Sequence, residues 1–143
     1  MKIREILQQK GHEVVTIEED DSVLDAVRTL VRHDIGGLLI TEDEHPKGII
    51  TERDILRLTA RSPRALGATA VGAVMTRDLL VAEPDDELQE MMGVMTDHRI
   101  RHLPVVEDDR VCGIVSIGDL LNACRLIAEE ENSHLRRYIY RGA

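Results

Sequence analysis

Gly48-Ile49-Ile50-Thr51-Glu52-Arg53-Asp54 is a short aliphatic run that stops on a hydroxyl, with a carboxylate three residues further on. The pattern returns sixty-five positions later as Gly113-Ile114-Val115-Ser116-Ile117-Gly118-Asp119. Ser or Thr followed at the third position by an acid is a capping box, in which hydroxyl and carboxylate satisfy free backbone N–H groups at a helix start. Each stretch therefore reads as a strand turning into a helix. The same atoms suit a second purpose. An ionised carboxylate can accept both hydroxyls of a ribose diol, and a helix N-terminus beside it favours a phosphate.

Working outward from these stretches, Thr16–Leu56 lies over Val81–Leu121 at the same offset without a gap. Asp20/Asp85, Asp21/Asp86, His33/His98, Ile35/Ile100, Leu38/Leu103, Gly48/Gly113, Ile49/Ile114 and Asp54/Asp119 are identical, and Thr51/Ser116 keeps the hydroxyl. A register held this long marks an internal repeat. The fold class expected is α+β (α/β): two β-α-β-β-α units packed sheet to sheet with pseudo-two-fold symmetry, plus a long C-terminal helix. A single unit of this size can hardly bury its sheet face, whereas two together can. The boundaries expected are residues 1–70 for the first repeat with its N-terminal helix and linker, 71–122 for the second, and 123–143 for a helical tail.

Periodicity and turn residues give the elements. Lys2 to Gln9 reads as an amphipathic helix ended by Gly11, and Val14 to Ile17 as an extended segment. Asp20-Asp21-Ser22 caps a helix from Val23 to His33 with Val23, Ala26, Val27, Leu30 and Val31 buried. Leu38 to Thr41 is a strand, Glu42 to Pro46 an acidic loop, and the next strand ends at Ile50. A helix from Glu52 to Ala60 and a linker from Arg61 to Ala70 follow. Val71 to Met75 is a short helix patterned like Ile3 to Leu7. The order then repeats: Leu79 to Ala82 extended, a helix from Glu83-Pro84-Asp85-Asp86 carrying Leu88, Met91, Met92 and Met95, strands Leu103 to Val106 and Val111 to Val115, and a last helix from Ser116.

Composition removes several functional classes. The formal net charge is −9, which opposes nucleic-acid binding, because that affinity comes mainly from neutralising phosphates. There is no Trp or Phe, and Tyr138 and Tyr140 are the two tyrosines, so stacking platforms for single strands are missing. The two cysteines, Cys112 and Cys124, form no CxxC pair. No signal-like or membrane-spanning run is present. The chain reads as cytoplasmic with reduced thiols. No acid–base pair or nucleophile has supporting context, so an enzyme is not expected. His98 and His102 have metal-like spacing, but helix gives way to strand between them, so no metal is expected.

With these features in place, the chain resembles a tandem pair of cystathionine-β-synthase-type (CBS) domains, a Bateman module, of the kind found as stand-alone bacterial CBS-pair proteins. Met75-Thr76 before the second copy, Ile35-Gly36-Gly37-Leu38, Ile100-Arg101-His102-Leu103-Pro104-Val105 and both Gly-x-x-Thr/Ser-x-x-Asp stretches carry the resemblance, from Lys2 to about Asn122. It implies adenine-nucleotide binding in clefts between the copies: AMP foremost, then ADP, ATP, NAD or S-adenosylmethionine. It implies ribose contacts from Asp54 and Asp119, with Thr51 and Ser116 lining the same sites. Base contacts would come from backbone around Thr16, Gly36, Gly37 and Leu38, and around Met75, Thr76, Leu103 and Pro104. It also implies a homodimeric, disc-like assembly.

Side-chain chemistry adds detail. With no aromatic available, a base would sit between aliphatics such as Ile35, Ile50, Ile100 and Val115. Arg53, Arg99, Arg101 and His102 are the candidate phosphate ligands, or else Arg99 and Arg101 are solvated surface cations. They are unevenly spread, since Gly36 and Gly37 stand where Arg101 and His102 stand in the second copy, so two unequal sites are expected. In the tail, Leu121, Cys124, Ala128 and Leu135 read as an apolar seam, and Leu135 to Tyr140 with Arg136, Arg137 and Arg141 as a patch that docks on a second protomer, or else as a frayed, solvated terminus. The function expected is a non-enzymatic adenine-nucleotide sensor acting on an unidentified effector protein. The alternative is a nucleotide-independent scaffold that works through its dimer surface and tail.

Overall fold

The computed structural model describes residues 1–142. Helix α1 (Ile3–Lys10) buries Ile3, Ile6 and Leu7 and ends at Gly11, whose φ of 104° suits only glycine. Helix α2 (Val23–His33) starts where the Ser22 hydroxyl accepts the Asp25 N–H at 3.1 Å, and ends at left-handed Asp34. Its stripe is Val23, Ala26 and Leu30. Val31, expected in that stripe, is 76% exposed, because the apolar face turns away one residue earlier.

Strands β1 (Gly37–Glu42) and β2 (His45–Thr51) pair antiparallel with Leu38 opposite Ile50. Their turn is only Asp43-Glu44, both at positive φ, so His45 and Pro46 belong to the strand and not to the acidic loop expected there. Helix α3 (Glu52–Arg61) follows, then a linker, then the short helix α4 (Val71–Val74). The linker is ordered on α2 by Val23 N–H to Thr69 O and Leu24 N–H to Leu66 O. In the second copy, α5 (Leu88–Asp97) begins later than expected, because Glu83 to Asp86 forms a turn closed by the Asp86 carboxylate on the Glu83 N–H. Strands β3 (His102–Glu107) and β4 (Arg110–Ser116) repeat the first hairpin, including its bulge. Helix α6 (Ile117–Arg141) closes the chain.

The first β of each unit shrinks to a bridge: Thr16 meets Leu39 and Ala82 meets Val105, both parallel. The structure thus holds two two-stranded sheets, joined at their tips where the Val111 N–H donates to Glu44 O at 2.9 Å.

What completes each half comes from the other end of the chain. Ile3, Ile6 and Leu7 of α1 lie in one core cluster with Leu103, Val105, Val115 and Leu120 of the second copy. Val71 and Met75 lie in the other cluster, with Leu38, Ile40, Ile50 and Leu58 of the first copy. The backbone bonds match. Val71 and Gly72 donate to Asp21 and Glu19, while Ile3 and Arg4 donate to Asp86 and Pro84. Each helix approaches over a glycine: a Cβ on Gly48 would lie 2.7 Å from Met75 Sδ, and one on Gly113 would lie 2.7 Å from a Leu7 methyl.

Helix α6 buries Leu120 and Ala123, with Cys124 and Ile127 packed beside them. The seam expected through Leu121, Ala128 and Leu135 is one position off, since Leu121 is 54% and Leu135 60% exposed. From Ala128 onward every described residue is exposed, including Tyr138 and Tyr140. Among the described residues no helix is long and apolar enough to cross a membrane.

The Leu7–Gly113 approach gives a direct test. Leu7→Ala should cost roughly 2–5 kcal/mol in urea unfolding, and Gly113→Ala alone roughly 1–3 kcal/mol by overpacking. The pair should cost less than the sum, because truncating Leu7 frees the room the new methyl needs. Strict additivity would mean that the two positions do not touch.

Candidate functional site

Both capping stretches fold as helix starts, and both carboxylates turn back onto them. In the first copy, Asp54 Oδ2 accepts the Thr51 N–H at 2.9 Å and the Thr51 hydroxyl at 3.1 Å, and Oδ1 accepts the Thr76 hydroxyl at 3.3 Å. Asp54 is 8% exposed, the one buried charged residue among those described. A buried carboxylate is tolerated because donors surround it. In the second copy, Asp119 Oδ2 accepts the Ser116 N–H at 2.7 Å, and the Ser116 hydroxyl accepts the Asp119 N–H at 3.1 Å. That oxygen also takes the Lys10 ammonium at 2.6 Å, and the same ammonium reaches Ile114 O at 2.6 Å. Burial pushes the Asp119 carboxyl up, but the bonds from Lys10 and Ser116 outweigh it and hold it below its ordinary 3.8.

The chain passes over both carboxylates on its way between copies. Thr76 exchanges two backbone bonds with Ile49 at the edge of β2, and by Ala82 the chain is pairing with β3. On the other side, His12 Nδ1 bonds Cys112 O at 3.0 Å, and Thr16 then bridges to β1. Leu80 and Val81, four and five residues after Thr76, are exposed apolar residues on the crossover toward β3.

Gly36 and Arg101 occupy equivalent places. The Glu52 N–H donates to Gly36 O at 3.1 Å, and the Ile117 N–H to Arg101 O at 2.9 Å. The backbone of each therefore sits against a helix N-terminus. Arg53, Arg99 and Arg101 are exposed, and among the described residues none of them pairs with a carboxylate within 4.0 Å. Arg99 adopts a left-handed φ of 54° that ends α5, as Asp34 ends α2. His102 lies on the glycines of the other copy: a Cβ at Gly36 or Gly37 would come within 3.2 or 3.3 Å of its ring.

Ile50 and Val115 are fully buried, so their side chains serve the cores and cannot form the aliphatic slot expected of them. Leu38 and Leu103 are buried too, but their expected part in holding a base is a backbone one. Pro104 O accepts the Ala82 N–H, and Met75 covers Gly48. Thr16 and Thr76 remain exposed, and Ile35 and Ile100 half-buried. A groove of about 320 Å³ runs along α2, lined by Thr16, Ile17, Asp21, Asp25, Arg28 and Arg32 among others. It shares Thr16 with the predicted site but touches neither carboxylate.

Lys10 was missed from sequence. Its signal was a break in register: Ile3 matches Val71 at an offset of 68, whereas Thr16 matches Val81 at 65. The first copy therefore carries three extra residues, Gln9-Lys10-Gly11.

Comparison with known proteins adds the following. A family model described as CBS domain matches residues 3–61 and 71–126. The CBS domain-containing protein CBSX3, mitochondrial, of Arabidopsis thaliana is 36% identical, over 98% of this chain and 72% of the relative. The crystal structure of a CBS-domain protein from Agrobacterium tumefaciens superposes with a TM-score of 0.83 at 35% identity, covering 86% of this chain and 98% of that one. The CBS domain pair of protein MJ0100, in complex with 5-methylthioadenosine and S-adenosyl-L-methionine, superposes with a TM-score of 0.76 at 27% identity, covering 91% and 98%.

Two groups of the second copy, His102 and Asp119, should make stability depend on pH. Burial lowers the His102 pKa below its ordinary 6.5; Glu52 and Asp119 oppose this, while Lys10 and Arg101 reinforce it. The folded ring takes a proton less readily than the unfolded one, so stability is undiminished above pH 6.5 and falls as the pH drops below it. Asp119 has the opposite origin but the same direction: its contribution is present above pH 3.8 and is lost as the pH falls through its depressed folded value. In urea melts against pH, His102→Gln should flatten the upper slope and Lys10→Met the lower one. If neither slope moves, these groups do not carry the acid sensitivity.

Proposed function

Because this chain belongs to the CBS-domain family as a tandem pair, we propose that it is a non-enzymatic regulatory module that binds an adenine nucleotide in the clefts between its repeats. The carrying observation is the repeated hydroxyl–carboxylate pair at two helix starts, each beneath a crossover of the chain. Capping and ribose binding use the same groups without conflict: each carboxylate bonds backbone through one oxygen and can turn the rest of its acceptor capacity to a diol. The related pair that holds two adenosyl compounds supports this ligand class.

In this reading Asp54 and Asp119 take the ribose hydroxyls, helped by Thr51 and Ser116. Arg53, Arg99 and Arg101 are the unpaired cations available to phosphate, and His102 lies between the copies. Backbone near Thr16, Gly36, Gly37 and Thr76 borders the base. AMP is the first ligand to try, then ADP, ATP, NAD and S-adenosylmethionine. The exposed apolar residues of α6 and the exposed Leu56 and Leu121, which are repeat equivalents, support a homodimer, and the charge and cysteine usage support a cytoplasmic setting. An unidentified effector protein would read the bound state. The second reading, a scaffold without ligand, is favoured by one observation: Asp119 is already paired by Lys10.

A thermal-shift panel separates the two. A nucleotide at ~100 times its Kd should stabilise the chain by about 2.7 kcal/mol, several degrees in Tm. Asp54→Ala and Asp119→Ala should each remove one binding event and leave the far-UV spectrum unchanged. No shift with any adenine nucleotide at millimolar concentration leaves the scaffold.

A further inference from the structure

The two carboxylates are held by different chemistry. Asp54 meets hydroxyls and a backbone N–H, all neutral: Thr51 and Thr76. Asp119 meets an ammonium, Lys10 Nζ, at 2.6 Å. By the matching helices α4 and α1, the repeat equivalent of Thr76 is Gln8, directly after Leu7 as Thr76 follows Met75. The extra residues Gln9-Lys10-Gly11 prolong α1 past that point and carry the cation onto Asp119 and Ile114 O. The surroundings diverge in the same sense, since Arg101 begins at the α6 start where Gly36 stands at the α3 start.

We infer that Lys10 is the specificity-determining residue of the Asp119 cleft, where it admits phosphorylated adenosyl ligands and disfavours neutral ones. This rests on the nucleotide reading above and names the ligand class of one of its two sites. The Ser116 N–H and Lys10 both occupy Oδ2 of Asp119, so a ribose diol that bonds both carboxylate oxygens, one hydroxyl to each, has to take the place of the ammonium on Oδ2. A neutral nucleoside would then leave a cation without its counter-charge. A nucleotide returns that charge, because its phosphate offers acceptors at least as strong as the carboxylate given up. Lys10 is a third exposed and sits on a flexible stem, so its head group can move from the carboxylate to a phosphate. The Asp54 cleft has no cation to displace, so a neutral adenosyl compound enters it at no ionic cost.

The test uses the full chain carrying Asp54→Ala, so that only the Asp119 cleft holds a diol, titrated calorimetrically with AMP and with adenosine. AMP should bind at least about tenfold more tightly than adenosine, the scale of one charge-assisted hydrogen bond. Lys10→Met should weaken AMP and strengthen adenosine, so that the ratio falls although Arg101 remains, and Lys10→Arg should restore the preference. Binding by the Lys10→Met chain with the parental ratio would overturn the role of Lys10 and leave the nucleotide reading standing. If neither compound binds any of these chains, nor the chain with Asp54 intact, the nucleotide reading falls and this inference falls with it.

Discussion

Two glycines on two strands hold this molecule together. Gly48 and Gly113 have no side chain, so Met75 and Leu7 can lie directly on the hairpins. The helix ahead of each repeat is thereby lent to the other repeat. A two-stranded hairpin with one helix on it has too little apolar surface to be stable alone. Exchange of the two leading helices closes both cores at once, and it forces the chain to cross between copies twice. Those crossings run over the helix starts of α3 and α6, so the clefts are a by-product of the way the cores are completed.

The exchange is symmetric, but the surface between the copies is not. Positions 37 and 102 are repeat equivalents, and the imidazole of His102 packs where Gly36 and Gly37 leave room. Side chains on both sides would collide, so one copy carries the ring and the other carries none. The same division extends to charge. Arg101 and Lys10 belong to the surroundings of Asp119, while Asp54 is enclosed by hydroxyls and backbone. Two repeat-equivalent carboxylates are in this way held in different electrostatic states, one neutralised by an internal cation and one buried and satisfied by neutral donors. Burying an unsatisfied carboxylate is costly, which accounts for the three donors that converge on Asp54.

Some elements misled a reader of the sequence for identifiable reasons. The turns Asp43-Glu44 and Asp108-Asp109 use acidic residues at positive φ, where Asn-Gly or Asp-Gly would have announced a two-residue hairpin. The acidic stretches therefore looked like longer loops. On α6 the apparent seam was drawn through residues of the solvent-exposed tail, and periodicity extended over that tail pulled the face one position away from Leu120 and Ala123. The aliphatic slot proposed for a base failed at Ile50 and Val115 because alternation along a strand does not say which face meets a core and which a cleft.

The sequence by itself determined what depends on near neighbours: the repeat and its register, the helices marked by Ser22, Thr51 and Ser116, and the return of Asp54 and Asp119 onto N–H groups three residues away. Those are short-range hydrogen bonds, and spacing encodes them. Tertiary structure alone decided that α1 serves the second copy, that His102 lies on Gly36 and Gly37, and that Lys10 meets Asp119 across 109 residues. No local pattern encodes such a contact. It exists because the exchanged helix, one turn longer than its counterpart, ends where the other copy's carboxylate begins.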